Sequence, residues 1–241
     1  GFFNDQLSFI GNASGYPSDR TPYGTQGETA TVGAFLTANY SFRNRYFVDG
    51  TWRITGSSQF GENNRWGNFW SAGAGWNILN ENFMKGIKKN IDLMKVRYSM
   101  GYTGKVSFSP FQAMTMYQYL NTYEYKNGIG AVPLTIGNVD LAWERTMNYN
   151  VGFDFSMFNR RLNFVFDAYI RKTTDLLLEK AMAPSTGVTT ATANLGEMEN
   201  KGIEFQVDGY IFRSKDFYWK LGTSGYMNRN KITKINKALE E

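Results

Sequence analysis

Cysteine is absent from this chain of 241 residues, and so is histidine. The first absence excludes disulfides, thiolate metal sites and thiol nucleophiles. The second removes most zinc chemistry and the common acid-base triads. No segment approaches the roughly 18 consecutive apolar residues that a membrane helix requires. A helical membrane protein is therefore excluded, whereas a closed β-barrel, which satisfies its backbone groups within itself, is not. Also missing are a Gly-rich phosphate loop in a strand-loop-helix setting and a G-x-S-x-G elbow. Paired carboxylates could hydrolyse glycosides, but spacing along the chain marks no such pair. The chain is accordingly read as a non-enzyme, with no catalytic, cofactor-binding or metal-binding residue and no cofactor. It opens Gly1-Phe2-Phe3-Asn4, without a basic start or an apolar stretch. Any export signal is thus expected to have been removed or to lie outside this stretch.

What the chain does have is rings in a polar setting. Aromatic residues make up 17% and glycine 25 residues, yet the mean hydropathy is −0.43. A water-soluble core gathers aliphatics; a membrane barrel spreads aromatic and aliphatic side chains over one face of each strand and keeps the other face polar. The net charge of +5 could suit nucleic acid, but Arg43, Arg45, Arg53, Arg65, Arg97, Arg145 and Arg171 are scattered rather than clustered on one face, and nucleic acid is not expected as a partner.

The strongest periodicity is two, the spacing of a strand with unlike faces. Tyr149, Val151, Phe153 and Phe155 alternate with Asn148, Asn150, Gly152 and Asp154. Leu162, Phe164, Phe166, Ala168 and Ile170 alternate with Asn163, Val165, Asp167, Tyr169 and Arg171. The same holds for Ile203, Phe205, Val207, Gly209 and Ile211 against Glu204, Gln206, Asp208 and Tyr210. Two earlier runs, Trp70 to Ile78 and Met94 to Gly101, repeat it, and weaker runs lie at 29–41, 46–56 and 217–229. About eight strands result, each long enough to cross a bilayer with roughly 9–11 tilted residues. Their connections alternate in length. Short ones are Arg43-Asn44-Arg45, Asn159-Arg160-Arg161, Arg213-Ser214-Lys215-Asp216 and a longer link from Asn80 to Asp92; long ones run Ser57 to Asn68, Gly104 to Ala142 and Thr174 to Glu197. Outer-membrane barrels show this asymmetry, with short turns toward the periplasm. A soluble sandwich would bury its apolar face, whereas here rings also gather at strand ends, as in Tyr46-Phe47, Trp52, Trp66, Trp143 and Phe217-Tyr218-Trp219, where aromatic girdles sit.

Particular residues carry a family resemblance. Asn39-Tyr40-Ser41-Phe42-Arg43-Asn44-Arg45-Tyr46-Phe47, followed by Gly56-Ser57-Ser58-Gln59-Phe60-Gly61-Glu62-Asn63-Asn64-Arg65-Trp66-Gly67-Asn68-Phe69, resembles the barrel of SusC/RagA-type TonB-linked transporters, in which an N-Y-x-Y-K-D-R-Y turn precedes a D-G-S-S-x-F-G-x-N-N-R-W-G-x-F loop. Thr55 stands where that family usually has Asp. Glu81-Asn82-Phe83-Met84, the run Leu93 to Gly104, Trp143-Glu144-Arg145-Thr146, Thr173 to Leu178 and Asn194 to Phe205 follow in the family's order, so the resemblance spans about residues 29–231.

The resemblance implies an all-β fold: an antiparallel transmembrane β-barrel, of which this chain supplies about eight strands of a larger, 22-stranded, plugged barrel. Residues 1–28 are expected to form an extracellular loop or partial strand, 29–231 the barrel strands, and 232–241 the start of the next extracellular loop. The implied location is the bacterial outer membrane, and the implied activity is TonB-dependent active transport of a large nutrient, a glycan or a peptide. The implied partners are TonB, through a plug not found in this stretch, a SusD-like surface lipoprotein lid, the nutrient and the surrounding lipid. The alternative is a passive or structural barrel, such as an adhesin or part of a larger surface or secretion assembly. On the barrel reading Asp49, Arg53, Arg97, Asp154, Asp167, Arg171 and Glu204 line the lumen, where half-buried charges need one another or a plug as partners. The 104–142 loop offers Tyr117, Tyr119, Tyr123 and Tyr125 to substrate or lid. The Gly61-Glu62-Asn63-Asn64-Arg65-Trp66-Gly67 loop could hold a sugar, but a structured loop packing on its neighbours is the preferred reading.

Overall fold

The structure is a computed structural model that describes residues 27–106, 113–125 and 128–235. Ten strands follow in order: β1 (Thr31–Phe42), β2 (Tyr46–Ser57), β3 (Trp66–Asn77), β4 (Ile91–Lys105), β5 (Met116–Tyr125), β6 (Gly128–Thr135), β7 (Glu144–Met157), β8 (Leu162–Ala181), β9 (Thr190–Arg213) and β10 (Tyr218–Ile235). Eight of them form one sheet in the order β1-β2-β3-β4-β7-β8-β9-β10, while β5 and β6 make a separate hairpin. Every pairing is antiparallel between strands that follow one another in this order. The sheet does not close on itself: among the described residues β1 and β10 each have a single neighbour.

The two-residue alternation propagates across all eight strands because the register keeps it in phase. One row runs Tyr40, Val48, Ala74, Tyr98, Val151, Ala168, Ile203, Met227. The adjacent row on the other face runs Ser41, Phe47, Gly75, Arg97, Gly152, Asp167, Glu204, Tyr226. The first face is not covered by protein: Tyr40 is 64%, Val151 49% and Met227 68% exposed. A soluble sandwich would bury this row against a second sheet; left bare, it suits hydrocarbon.

Turn chemistry sets the short ends. Arg43 and Asn44 both take positive φ, 52° and 53°, and the Arg45 N–H donates to the Phe42 carbonyl at 2.9 Å. That double left-handed turn matches the right-handed twist of the flanking strands. The neighbouring link carries Glu81, which joins two turns: the Tyr46 hydroxyl donates to its Oε1 at 2.6 Å, the Trp76 indole N–H to the same oxygen at 3.2 Å, and Arg45 Nη1 to Oε2 at 3.4 Å. Foremost the Tyr46 hydroxyl, then the Trp76 indole, hold the carboxyl below its ordinary range, with desolvation opposing and the Arg45 charge assisting. A folded-state value below the unfolded one contributes stability above the unfolded pKa, near 4.3, that is lost as pH falls through the folded value. Wild type is therefore expected to melt above Glu81→Gln near neutrality, with the gap closing below about pH 4; a gap that persists unchanged to lower pH would reject the bridging role.

Two of the long connections differ from the sequence expectation. The stretch from Thr174 to Glu197 is mostly strand: β8 continues to Ala181 and β9 begins at Thr190. The phase change that concealed it is a bulge, with register shifts between Thr173 and Leu177 and Asp175 at φ 58°. The stretch from Gly104 to Ala142 contains the β5–β6 hairpin. Residues 1–26, and with them most of the 1–28 segment, lie outside the described residues, as do 236–241; residues 232–235 continue β10.

Candidate functional site: the polar face and its rim

Register places Asp49, Arg53, Arg97, Asp154, Asp167, Arg171 and Glu204 all on the face opposite the bare apolar row. Three of them come together. Arg97 on β4 lies opposite Gly152 of β7, which lies opposite Asp167 of β8. Arg97 Nε donates to Asp154 Oδ2 at 2.9 Å and Nη2 to Asp154 Oδ1 at 2.9 Å, while Nη2 also reaches Asp167 at 3.2 Å. The fork against Asp154 is the bidentate geometry of a strong charge-assisted pair. It depends on an absent side chain between the partners: a Cβ on Gly152 would stand 2.6 Å from Arg97 Cζ and 2.7 Å from Asp167 Oδ1. Sequence reasoning found the charges but not Gly152, which reads in isolation as one more small residue on the polar side of a strand.

The remaining candidates do not join this cluster. Arg171 lies over the Tyr169 ring at 4.7 Å, a cation-π geometry. Arg53 Nε donates to Thr55 Oγ1 at 2.7 Å. Asp49 leans over Gly73, whose added Cβ would stand 2.5 Å from Asp49 Oδ1. Glu204 sits beside Asp167 in the row, and the two border a shallow depression of about 480 Å³ with Gln206, Ser224 and Tyr226. The face from β4 to β10 thus presents carboxylates and amides beside the guanidinium groups of Arg97 and Arg171, chemistry that forms hydrogen bonds with hydroxyls and amides.

At the long-loop end a small core ties the loops together. Phe60 is 2%, Trp143 6% and Leu141 0% exposed. Phe60 stacks on Trp143 with centroids 4.2 Å apart, and Phe69 meets the same indole edge-on at 5.3 Å. Trp143, read from sequence as a girdle ring, is instead buried here; one ring at a strand end cannot reveal which segment will cover it. Asn63 Nδ2 donates to Asp140 Oδ1 at 3.4 Å and Asn64 Nδ2 to the Asp140 carbonyl at 3.0 Å. The 61–67 loop therefore spends both of these amides on the 139–143 segment. Asn194 completes the knot: its Nδ2 donates to the carbonyls of Ala142 and Asp175 at 2.9 and 2.7 Å, and its Oδ1 accepts from the Ala142 N–H at 2.9 Å. The Leu177 N–H donates to the buried Glu144 carboxylate at 3.0 Å. The motifs that hold Asn194 and Glu144 were visible in the sequence; the pairing of Asn194 with Ala142, 52 residues away, and of Glu144 with Leu177, 33 residues away, was not.

Tyr117 lies on β5 and is 63% exposed. Tyr119, Tyr123 and Tyr125 fall on the same strand, and their side chains lie outside the described residues.

An open antiparallel sheet with one face bare and apolar, the other polar and ion-paired, and its tightest turns, after β1, β7 and β9, all at one end is a section of transmembrane β-barrel wall. Residues 1–239 match the family described as "TonB dependent receptor-like, beta-barrel". The chain belongs to that family, whose barrels are outer-membrane proteins. It is similar to TonB-dependent receptor P39 of Formosa agariphila, 34% identical over 97% of this chain and 22% of that protein. It is likewise similar to TonB-dependent receptor SusC of Bacteroides thetaiotaomicron, 36% identical over 90% of this chain and 22% of that protein. Among solved structures, that of the RagAB peptide transporter superimposes with a TM-score of 0.82 at 30% identity, covering 98% of this chain and 26% of that one. The chain thus spans about a quarter or less of the length of these relatives, all of which are receptors or transporters by name.

Proposed function

We propose that this section lines the passage of an outer-membrane active transporter that imports a large nutrient, an oligosaccharide or a peptide, with energy delivered through TonB and a SusD-like lipoprotein as lid. The observation that carries the reading is the polar face: charges held in fixed pairs beside glycine positions, on the side a closed barrel turns inward. Asp49, Arg53, Arg97, Asp154, Asp167, Arg171 and Glu204 act there as wall and plug contacts, with the Asp167–Glu204 depression open to substrate amides or hydroxyls. Tyr117, Tyr119, Tyr123 and Tyr125 serve substrate or lid at the extracellular end. The similarity to SusC and to the RagAB peptide transporter supports the transport class and leaves both nutrient classes in play.

The test is uptake of fluorescent oligosaccharides and oligopeptides by cells with and without the gene for the complete receptor, each with and without a protonophore. Loss of uptake of one class on deletion, and equally on collapse of the proton gradient, is the expected result. Uptake that needs the gene but survives the protonophore would mean a passive barrel instead.

A further inference from the structure

On β8, β9 and β10 the bare apolar face ends at one level. Toward the long-loop end, Ile170 is followed on this face by Lys172, Ile203 by Lys201, and Met227 by Arg229 and Lys231. The register sets them side by side: Ile170, Lys201 and Arg229 in one row, Lys172, Glu199 and Lys231 in the next. From Leu162 to Ile170 the outward positions of β8 are apolar over nine residues, about 27 Å along the strand; at the usual tilt this spans roughly 20 Å of membrane, close to the apolar band of such barrels. The charges therefore begin where hydrocarbon gives way to headgroups.

The cluster is cationic in excess. Glu199 is engaged by Lys201 Nζ at 2.8 Å and by Lys172 Nζ at 3.9 Å, while Arg229 and Lys231 are exposed and form no ion pair among the described residues. Two shallow depressions meet at this point. One, of about 430 Å³, has Val151, Ala168, Ile203 and Met227 in its wall; the other, of about 250 Å³, is formed by Glu199, Lys201, Arg229 and Lys231. Lys201 and Arg229 belong to both.

We infer that this junction is a lipid site: an acyl chain lies along the apolar depression, and the phosphate of its headgroup rests against Lys201, Arg229 and Lys231. Phosphate is the chemistry that answers several cations at headgroup depth, and the continuous apolar floor selects a phosphate that carries a chain. The inference rests on the outward orientation of this face and on short turns at the periplasmic side; it is independent of which nutrient is carried.

The experiment takes the complete receptor in a non-ionic detergent and counts bound molecules by native mass spectrometry during titration with phosphatidic acid, phosphatidylcholine of the same chains, and inorganic phosphate. Phosphatidic acid is expected to be retained about tenfold or more over phosphatidylcholine, and the K201Q/R229Q/K231Q variant to lose most of that preference. Equal retention of the two lipids, or an unchanged preference in the variant, overturns the inference. Retention of inorganic phosphate to the same extent also overturns it, since the site would then serve a free anion. Heat-dependent gel mobility reports whether the variant is a folded barrel, and the exposed single substitution Arg229→Gln provides the same comparison if the triple variant does not fold. Failure here would leave the uptake experiment untouched.

Discussion

Replacing Trp143 with alanine is expected to destabilise the barrel by about 3–5 kcal/mol, the cost of deleting a buried aromatic side chain and leaving a cavity. The indole is 6% exposed and touches two rings of the 57–69 segment, Phe60 at 4.2 Å and Phe69 at 5.3 Å. Aromatic pairs of that geometry add roughly 0.5–1.5 kcal/mol beyond the area they bury. Among the described residues only Tyr102 and Val106 pack against this cluster besides its own rings, so the 57–69 and 139–143 segments should separate rather than collapse inward. The measurement is thermal unfolding in detergent, combined with limited proteolysis of the 61–67 loop. Trp143→Ala should lower the midpoint and expose the loop, and Trp143→Phe should restore most of both. A loss under about 1 kcal/mol would show that hydrogen bonds through Asp140 and Asn194, rather than the rings, hold the rim.

The second large effect lies at Arg97. Replacement by methionine keeps much of the side-chain volume but leaves Asp154 and Asp167 with no cation between them. Removing one partner of a fully buried pair typically costs 3–5 kcal/mol. Here the Arg97 side chain is 34% exposed, and solvent screening reduces the expectation to about 1–3 kcal/mol. Coupling makes the claim specific: Arg97→Met combined with Asp154→Asn should cost less than the two changes added, because the carboxylate stranded by the first is removed by the second. Gly152→Val should reproduce the loss, at about 1–3 kcal/mol, by forcing the guanidinium off its partners. Strict additivity in the double variant would mean that the fork contributes nothing to the fold.

Where the alternation is clean, the architecture could be read directly from the chain. Tyr149, Val151, Phe153 and Phe155 announce a strand with one lipid face, and the phase of each run matches its neighbours so well that the row from Tyr40 to Met227 crosses eight strands unbroken. Strands were missed where the phase slips. At Asp175 one extra residue shifts the side-chain pattern, so Leu176-Leu177-Leu178 shows no alternation although all three are strand. In β6, Pro133 lacks an amide donor and reads as a loop residue. The polar face was legible only as a collection of charges. Arg97 and Asp167 are 70 residues apart in the chain, and only the register, which is a property of the whole sheet, brings them to either side of Gly152. Trp143 failed for a related reason, since a ring at a strand end looks the same whether membrane or a distant loop covers it.

The outer strands of the sheet carry a cost in a bilayer. Among the described residues β10, of 18 residues, and β1, of 12, have neighbours on one side only. In an antiparallel edge alternate residues point both backbone groups away from the sheet, so roughly 18 donors and acceptors stand open along β10 alone. In hydrocarbon each costs several kcal/mol, and together they outweigh by a wide margin the roughly 5–15 kcal/mol that holds a typical domain folded. An open edge of this length is therefore incompatible with hydrocarbon, and such a strand can reside in a bilayer only where a further strand pairs with its free side.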